Sequence, residues 1–154
     1  VCDIDALALF NLFSEGYPEE KAGNSLLIDI AHDRIAMVLI SDGRFIDADS
    51  VLGLAWDQAD KASQSILHLK EKAEQFFSKR TEITSNPRIF LSGEILADAK
   101  LRDILHAELG FDFEIIDPFR AVAASEHVAP QASLIGPALA VCVGLSLRGG
   151  ENES

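Results

Sequence analysis

Two apolar runs near the start of the chain constrain the fold most. Leu26 to Ile30 is apolar but for Asp29, and Ile35 to Ile40 is apolar throughout. Only Ala31-His32-Asp33-Arg34 separates them. Runs this short and this apolar predict strands buried on both faces. Ser41-Asp42-Gly43 follows, and Asp-Gly predicts a type I′ hairpin, because both residues tolerate the positive φ that the turn demands. A third strand, Arg44 to Ser50, places Phe45 on one face and Ile46 on the other, then turns polar as an edge strand does.

The rest of the chain alternates helix and strand. Ahead of the meander, Val1 to Ile4 reads as the end of a strand. Asp5 is positioned to cap a helix over Ala6 to Phe13 that leaves little polar surface, and Ser14 to Asn24 is a loop. After Gly53, one helix is predicted from Leu54 to Arg80, with Ala59, Ala62, Ile66, Leu69, Ala73 and Phe76 forming a single apolar stripe that packs on a sheet. Arg88 to Leu91 is a short buried strand and Ser92-Gly93 the turn out of it. A helix over Ile95 to Leu109 stops at Gly110, and Phe111 to Ile116 is the next strand. Arg120 to Ser133 is mostly loop, with a turn of helix at Ala121 to Ser125. The last helix, Pro137 to Leu147, carries the small residues Ala138, Ala140 and Gly144 and is expected to pack closely on the sheet through Ala140 and Gly144; Gly149 to Ser154 is a polar tail expected to be disordered. Three antiparallel strands, then helix, strand, helix, strand, helix, predict an α/β fold: a ribonuclease H-like five-stranded mixed sheet, with the two later strands parallel to the first.

Composition narrows the function classes. The formal net charge is −12, which disfavours nucleic acid and anionic membrane surfaces, since both select Lys and Arg. Cys2 and Cys142 lie at opposite ends in apolar surroundings and read as reduced core residues. No run approaches a membrane span. The chain begins at Val1, and its single methionine, Met37, lies inside a predicted strand, so the sequence is expected to be a piece of a longer protein.

Several blocks together carry a resemblance. DIDALALFNLF followed by LLIDIAHDRIAMVLISDGRFI, then RIFLSGEIL, LHAELGFDFEIIDPFRAV and GPALAVCVGLSLR, is similar in order and spacing to the PilM family of type IV pilus assembly proteins. The resemblance implies an actin-like fold built of two such halves, with ATP and Mg²⁺ in the cleft between them. It makes this chain the second half. Residues 1–24 would be the last strand, linking helix and loop of the first half, 25–148 the ribonuclease H-like unit, and 149–154 the tail. It also implies partners, a PilN-like cytoplasmic tail and other proteins of the pilus platform. The location would be cytoplasmic, peripheral to the inner membrane through those partners. The PilN groove belongs mainly to the missing half, so no contact residue follows. Cut off from that half, residues 1–13 are expected to be disordered, swapped or buried in a dimer contact.

The resemblance also places a site. The turn between the first two strands usually reads Asp-Ile-Gly with a hydroxyl residue soon after, and it cradles phosphates. Here it is Asp29-Ile30-Ala31-His32-Asp33-Arg34. Asp29 matches and would hold Mg²⁺ through water. Ala31 replaces the glycine, His32 follows it, and Asp33 adds a negative charge that Arg34 offsets only in part. Ser92-Gly93-Glu94 stands where the family has Ser-Gly-Gly to receive the adenosine, with Glu94 departing from the second glycine. Read without the resemblance, the first segment is a plain β-turn, and Ser92 is an N-cap. Asp29, His32 and Asp33 on one short turn are a poor metal set, and His68, His106 and His127 read as surface residues. No nucleophile elbow or Cys/His dyad is present, and no catalytic residue follows from the sequence. Three readings stand: a pilus scaffold with a degraded nucleotide site, a working ATP-binding member of the actin, hexose kinase and Hsp70 fold group, and a type II secretion L-type relative. The altered turn favours the first over the second and predicts that this chain binds ATP weakly or not at all.

Overall fold

The computed structural model describes residues 4–80, 85–122 and 135–147. Its elements are α1 (Ile4–Gly16), β1 (Asn24–Ile30), β2 (Arg34–Ser41), β3 (Arg44–Leu52), α2 (Ala59–Ser78), β4 (Arg88–Ser92), α3 (Ala99–Glu108), β5 (Glu114–Ile115) and α4 (Ala140–Leu147). The strands form one sheet in the order β3-β2-β1-β4-β5. β1 is antiparallel to β2 and parallel to β4, β2 is antiparallel to β3, and β4 is parallel to β5. This is the five-stranded mixed sheet that the element order predicts.

Alternation along the central strands builds two separate cores. Leu26, Ile28 and Ile30 of β1, with Ile35, Met37 and Leu39 of β2 and Leu91 of β4, face the stripe Ala62, Ile66, Leu69, Ala73 and Phe76 of α2 and Leu105 of α3. Leu27, Val38, Ile40 and Phe90 face the other way, onto Leu9, Leu12 and Phe13 of α1 and Ala140 of α4. A register shift between Leu39 and Ile40 puts Phe45 opposite Ile40 and Asp47 opposite Leu39. Phe45 thereby meets Phe10 of α1 edge-on, with 5.7 Å between ring centres, while Ile46 packs on the α2 side. Asp42 and Gly43 have φ of 49° and 69°, both positive as the Asp-Gly hairpin requires.

Several expectations are corrected. Ile4 opens α1 instead of ending a strand, and α1 runs on to Gly16. Asp5 lies within its first turn and pairs with Arg34. The helix is not left without partners: Ala6, Ala8, Leu9, Leu12 and Phe13 are all buried against the chain's own sheet and α4. The apolar surface thought to require a swap or dimer contact is therefore covered from within. α2 starts at Ala59, because Leu54 to Gln58 form the crossing from β3, where Ser65 Oγ of the helix bonds the backbone of Ala55. The helix predicted over Ile95 to Leu109 is interrupted by Asp98, which ends the 3-10 turn Glu94–Ala97 and caps α3 through the N–H groups of Lys100 and Leu101. Pairing in β5 extends over Glu114 and Ile115 only. Ser92 caps no helix; its hydroxyl donates to Asp29. Cys142 is exposed on α4, not in the core. Residues 1–3 with Cys2, the stretch 123–134 with His127, and the tail 149–154 lie outside the described residues.

α4 packs closely, as its small residues suggest, but its nearest neighbour is α1 and not the sheet. A Cβ built on Gly144 would lie 2.0 Å from the carbonyl oxygen of Ala8, so the two backbones meet there with no room for any side chain. Gly144→Leu should cost about 1–3 kcal/mol or more through overpacking. Chemical unfolding would check this, and a neutral result would show that α4 can leave α1 freely.

Candidate functional site

The predicted site residues gather at one end of the sheet, where β1 and β4 both finish. Parallel strands bring Asp29 and Ser92 level with each other. They share the α1 face, by alternation from Leu27 and Phe90. Ser92 is fully buried and its Oγ donates to Asp29 Oδ1 at 2.7 Å. Arg34, at the start of β2, is ion-paired to Asp5 of α1 on the same side. Burial pushes the Asp29 carboxyl above its ordinary value of 3.8. The Ser92 hydroxyl opposes that shift, Asp5 adds to it, Arg34 opposes it and Glu94 adds to it.

The turn itself is closed by a bond from the Ala31 N–H to the Arg34 carbonyl at 2.9 Å, leaving His32 and Asp33 exposed at its tip. Glu94 follows the end of β4, and its Oε1 accepts the His32 N–H at 2.7 Å. Gly93 has φ of +113°, and a Cβ there would lie 2.3–2.6 Å from the backbone of Ile30. Its N–H donates to the Pro137 carbonyl at 2.8 Å. The conformational freedom of this glycine is thus used where the chain leaves β4 directly against the end of β1.

On the α2 face of the same end lies a hollow of about 420 Å³ lined by His32, Trp56, Asp57, Glu94, Asp98 and the apolar Ile95 and Leu101. Trp56 is buried, and its Nε1 has no hydrogen-bond partner among the described residues. Asp57 is held below the usual carboxylate range by its hydrogen bond with Lys61. Three carboxylates make this hollow acidic. Trp56, Asp57 and Asp98 do not figure in the sequence-based site, because the β3–α2 crossing and the turn before α3 meet only in the folded chain. The one available signal is the single tryptophan, Trp56, which the sequence reading places inside the helix predicted over Leu54 to Arg80. A larger cavity of about 560 Å³ lies elsewhere, near Arg88 where β4 begins. Among the described residues no group of three or more His, Cys, Asp or Glu is placed to hold a metal ion, and no helix is long and apolar enough to cross a membrane.

Comparison of the sequence with family models and curated proteins gives no match. Solved structures do match. The type IV pilus biogenesis complex PilM–PilN contains a chain that superposes over 98% of this one, with a TM-score of 0.74 and 22% identity. The ethanolamine utilization protein EutJ from Carboxydothermus hydrogenoformans superposes over 93%, with a TM-score of 0.55 and 10% identity. The chain spans about half the length of each, 53% in both cases.

The buried carboxyl gives a pH signature with a definite sign. The folded protein holds the Asp29 proton more tightly than the unfolded chain. Its contribution to stability is therefore greatest below the ordinary carboxylate range and is lost as pH rises through the raised value. Asp29→Asn keeps an acceptor for Ser92 and removes the titration. In urea unfolding, the stability of the variant relative to the parent should rise from acid to neutral pH. The opposite trend would mean that Asp29 is stabilised as an anion. The described residues thus form one ribonuclease H-like unit with the PilM-like, actin-like ATPase fold.

Proposed function

We propose that this chain is the second half of a PilM-like actin-fold scaffold on the cytoplasmic side of the type IV pilus inner-membrane platform. In this reading it works with a PilN-like tail, and its own share of the nucleotide site is degraded. The likeness in fold to a chain of the PilM–PilN type IV pilus biogenesis complex supports the assignment to pilus assembly. One observation carries the reading of the site: the Glu94 carboxylate already occupies the His32 N–H.

A phosphate cradle works by aiming unpaired backbone N–H groups at the anion. In this turn the Ala31 N–H is spent on Arg34 and the His32 N–H on Glu94. The anion such a turn would attract is thus supplied by the protein. A triphosphate arriving there would also meet Asp33 and Glu94, both exposed. Each like charge within ~4 Å costs on the order of a few kcal/mol at a surface-like effective dielectric. ATP gains little by exchanging its hydration for donors that already have partners. If the companion half completes the cleft, Asp29 is too deeply buried to meet Mg²⁺ except through water.

Calorimetric titration of the chain with ATP–Mg²⁺ should show no micromolar binding. Micromolar affinity that disappears in Asp29→Asn would overturn the degraded-site reading and favour a working nucleotide protein. In the native host, deleting the gene should abolish surface pili, whereas Asp29→Asn should leave them intact. Normal piliation after deletion would overturn the pilus assignment.

A further inference from the structure

β3 is the outermost strand on its side of the sheet, and the hydrogen-bond alternation identifies the groups it leaves free. Bonds from the Ala31 N–H to the Arg34 carbonyl and from the Asp42 N–H to the Gly23 carbonyl set the pattern along β2. Arg34, Ala36, Val38 and Ile40 turn their backbone groups to β1, while Ile35, Met37 and Leu39 turn theirs to β3. Their partners there are Val51, Asp49 and Asp47, and the bond from the Gly53 N–H to the Asp33 carbonyl continues the series. The backbone groups of Ala48, Ser50 and Leu52 therefore point away from the sheet. The Ser50 N–H is taken by Asp49 Oδ1 at 2.8 Å. Those of Ala48 and Leu52 have no strand beside them among the described residues. Leu52 is 71% exposed, and a hollow of about 510 Å³ opens beside it, bounded by Leu54, Lys61, Gln64 and His68.

An open row of alternating donors and acceptors is matched by extended backbone. A second copy of this chain fits poorly: antiparallel pairing about Ala48 would set Asp47 of each copy opposite Asp49 of the other, and directly opposed like charges destabilise a ladder. Asp47 is ion-paired to Arg80, whereas Asp49 has no ion-pair partner among the described residues. Asp47 and Asp49 share the α2 face, and Ala48, Ser50 and Leu52 the other, by alternation.

We propose that the edge from Ala48 to Leu52 receives an extended segment of a partner protein, antiparallel to β3. The segment presents basic side chains over Asp47 and Asp49 and apolar ones beside Ala48 and Leu52. The hollow next to Leu52 leaves room for the segment to continue past the strand. This surface is the outer edge of β3, two strands away from β1 and Asp29, although Ser50 to Leu52 run at the same end of the sheet, and the inference does not depend on the pilus assignment.

The probe is a synthetic peptide as long as β3 with alternating lysine and valine, compared with one alternating glutamate and valine. The lysine peptide should bind at least about tenfold more tightly, a gap of about 1.4 kcal/mol. It should also slow amide exchange at Ala48 and Leu52. Ala48→Pro removes an outward N–H and leaves the β2 ladder intact, so a folded Ala48→Pro variant should lose the binding. Should that variant not fold, Asp49→Lys provides the second test and should narrow or reverse the preference between the peptides. Equal binding of the two peptides to the parent, no binding of the lysine peptide, or undiminished binding in folded Ala48→Pro would overturn the proposal. So would a dimer of the parent that Ala48→Pro abolishes, which would make a second copy the occupant.

Discussion

β1 has no side that it can show to water. From Ser25 to Ile30 every residue is buried, and β2 matches it from Ile35 to Ile40. Such a pair is stable only when helices cover both faces, and the rest of the chain is arranged to meet that requirement. α2 and α3 supply one cover, α1 and α4 the other. The second cover explains why α1 is integral to the unit. Without Leu9, Leu12 and Phe13, the residues Leu27, Val38 and Phe90 would face solvent.

Tight covering has consequences at the ends of the elements. α4 approaches α1 so closely that Gly144 rests on the Ala8 carbonyl, and Gly93 rests on Ile30 where β4 stops. The second contact holds the chain leaving β4 beside the β1–β2 turn, which is how Glu94 comes within reach of His32. The same geometry fixes Asp29 beside Ser92, buried under α1. The end of the sheet where β1 and β4 finish is therefore divided in two. The Asp5–Arg34 ion pair and the Ser92–Asp29 hydrogen bond lie on one face, and an acidic hollow around Trp56 on the other.

Peripheral contacts tie the unit together at its other end. Arg88, opening β4, pairs with Glu20 before β1 and Glu114 of β5. Arg120 pairs with Glu19 and lies 4.0 Å from the centre of the Tyr17 ring, whose hydroxyl accepts the Asp117 N–H. The segment Tyr17–Glu20 is thus fastened to the 3-10 turn Pro118–Arg120 and to Asp117 just before it. These are exposed ion pairs, each worth a modest fraction of the stability that the two cores supply.

The strands and their order were legible in the sequence because their signals are local. Continuous apolar runs, the Asp-Gly turn and the stripe from Ala62 to Phe76 each encode an element within a few residues. Asp29, Ser92 and Gly93 were singled out through the resemblance to a known family. What each does was not legible, because their partners are distant in sequence: Ser92 bonds Asp29, Gly93 abuts Ile30, and Glu94 takes an N–H that begins 62 positions earlier. The helix ends were misjudged for two reasons, one a tertiary contact and one a local cap. Ser65 holds the crossing into α2 in irregular form, and Asp98 breaks one predicted helix into two. By itself, then, the sequence determined which stretches must be buried and that the sheet needs cover on both faces, since hydrophobic periodicity is written residue by residue. Only the tertiary structure decided that α1 supplies part of that cover and that Glu94 takes the His32 N–H of the turn, because both depend on groups far apart in the chain being brought within ångströms of one another.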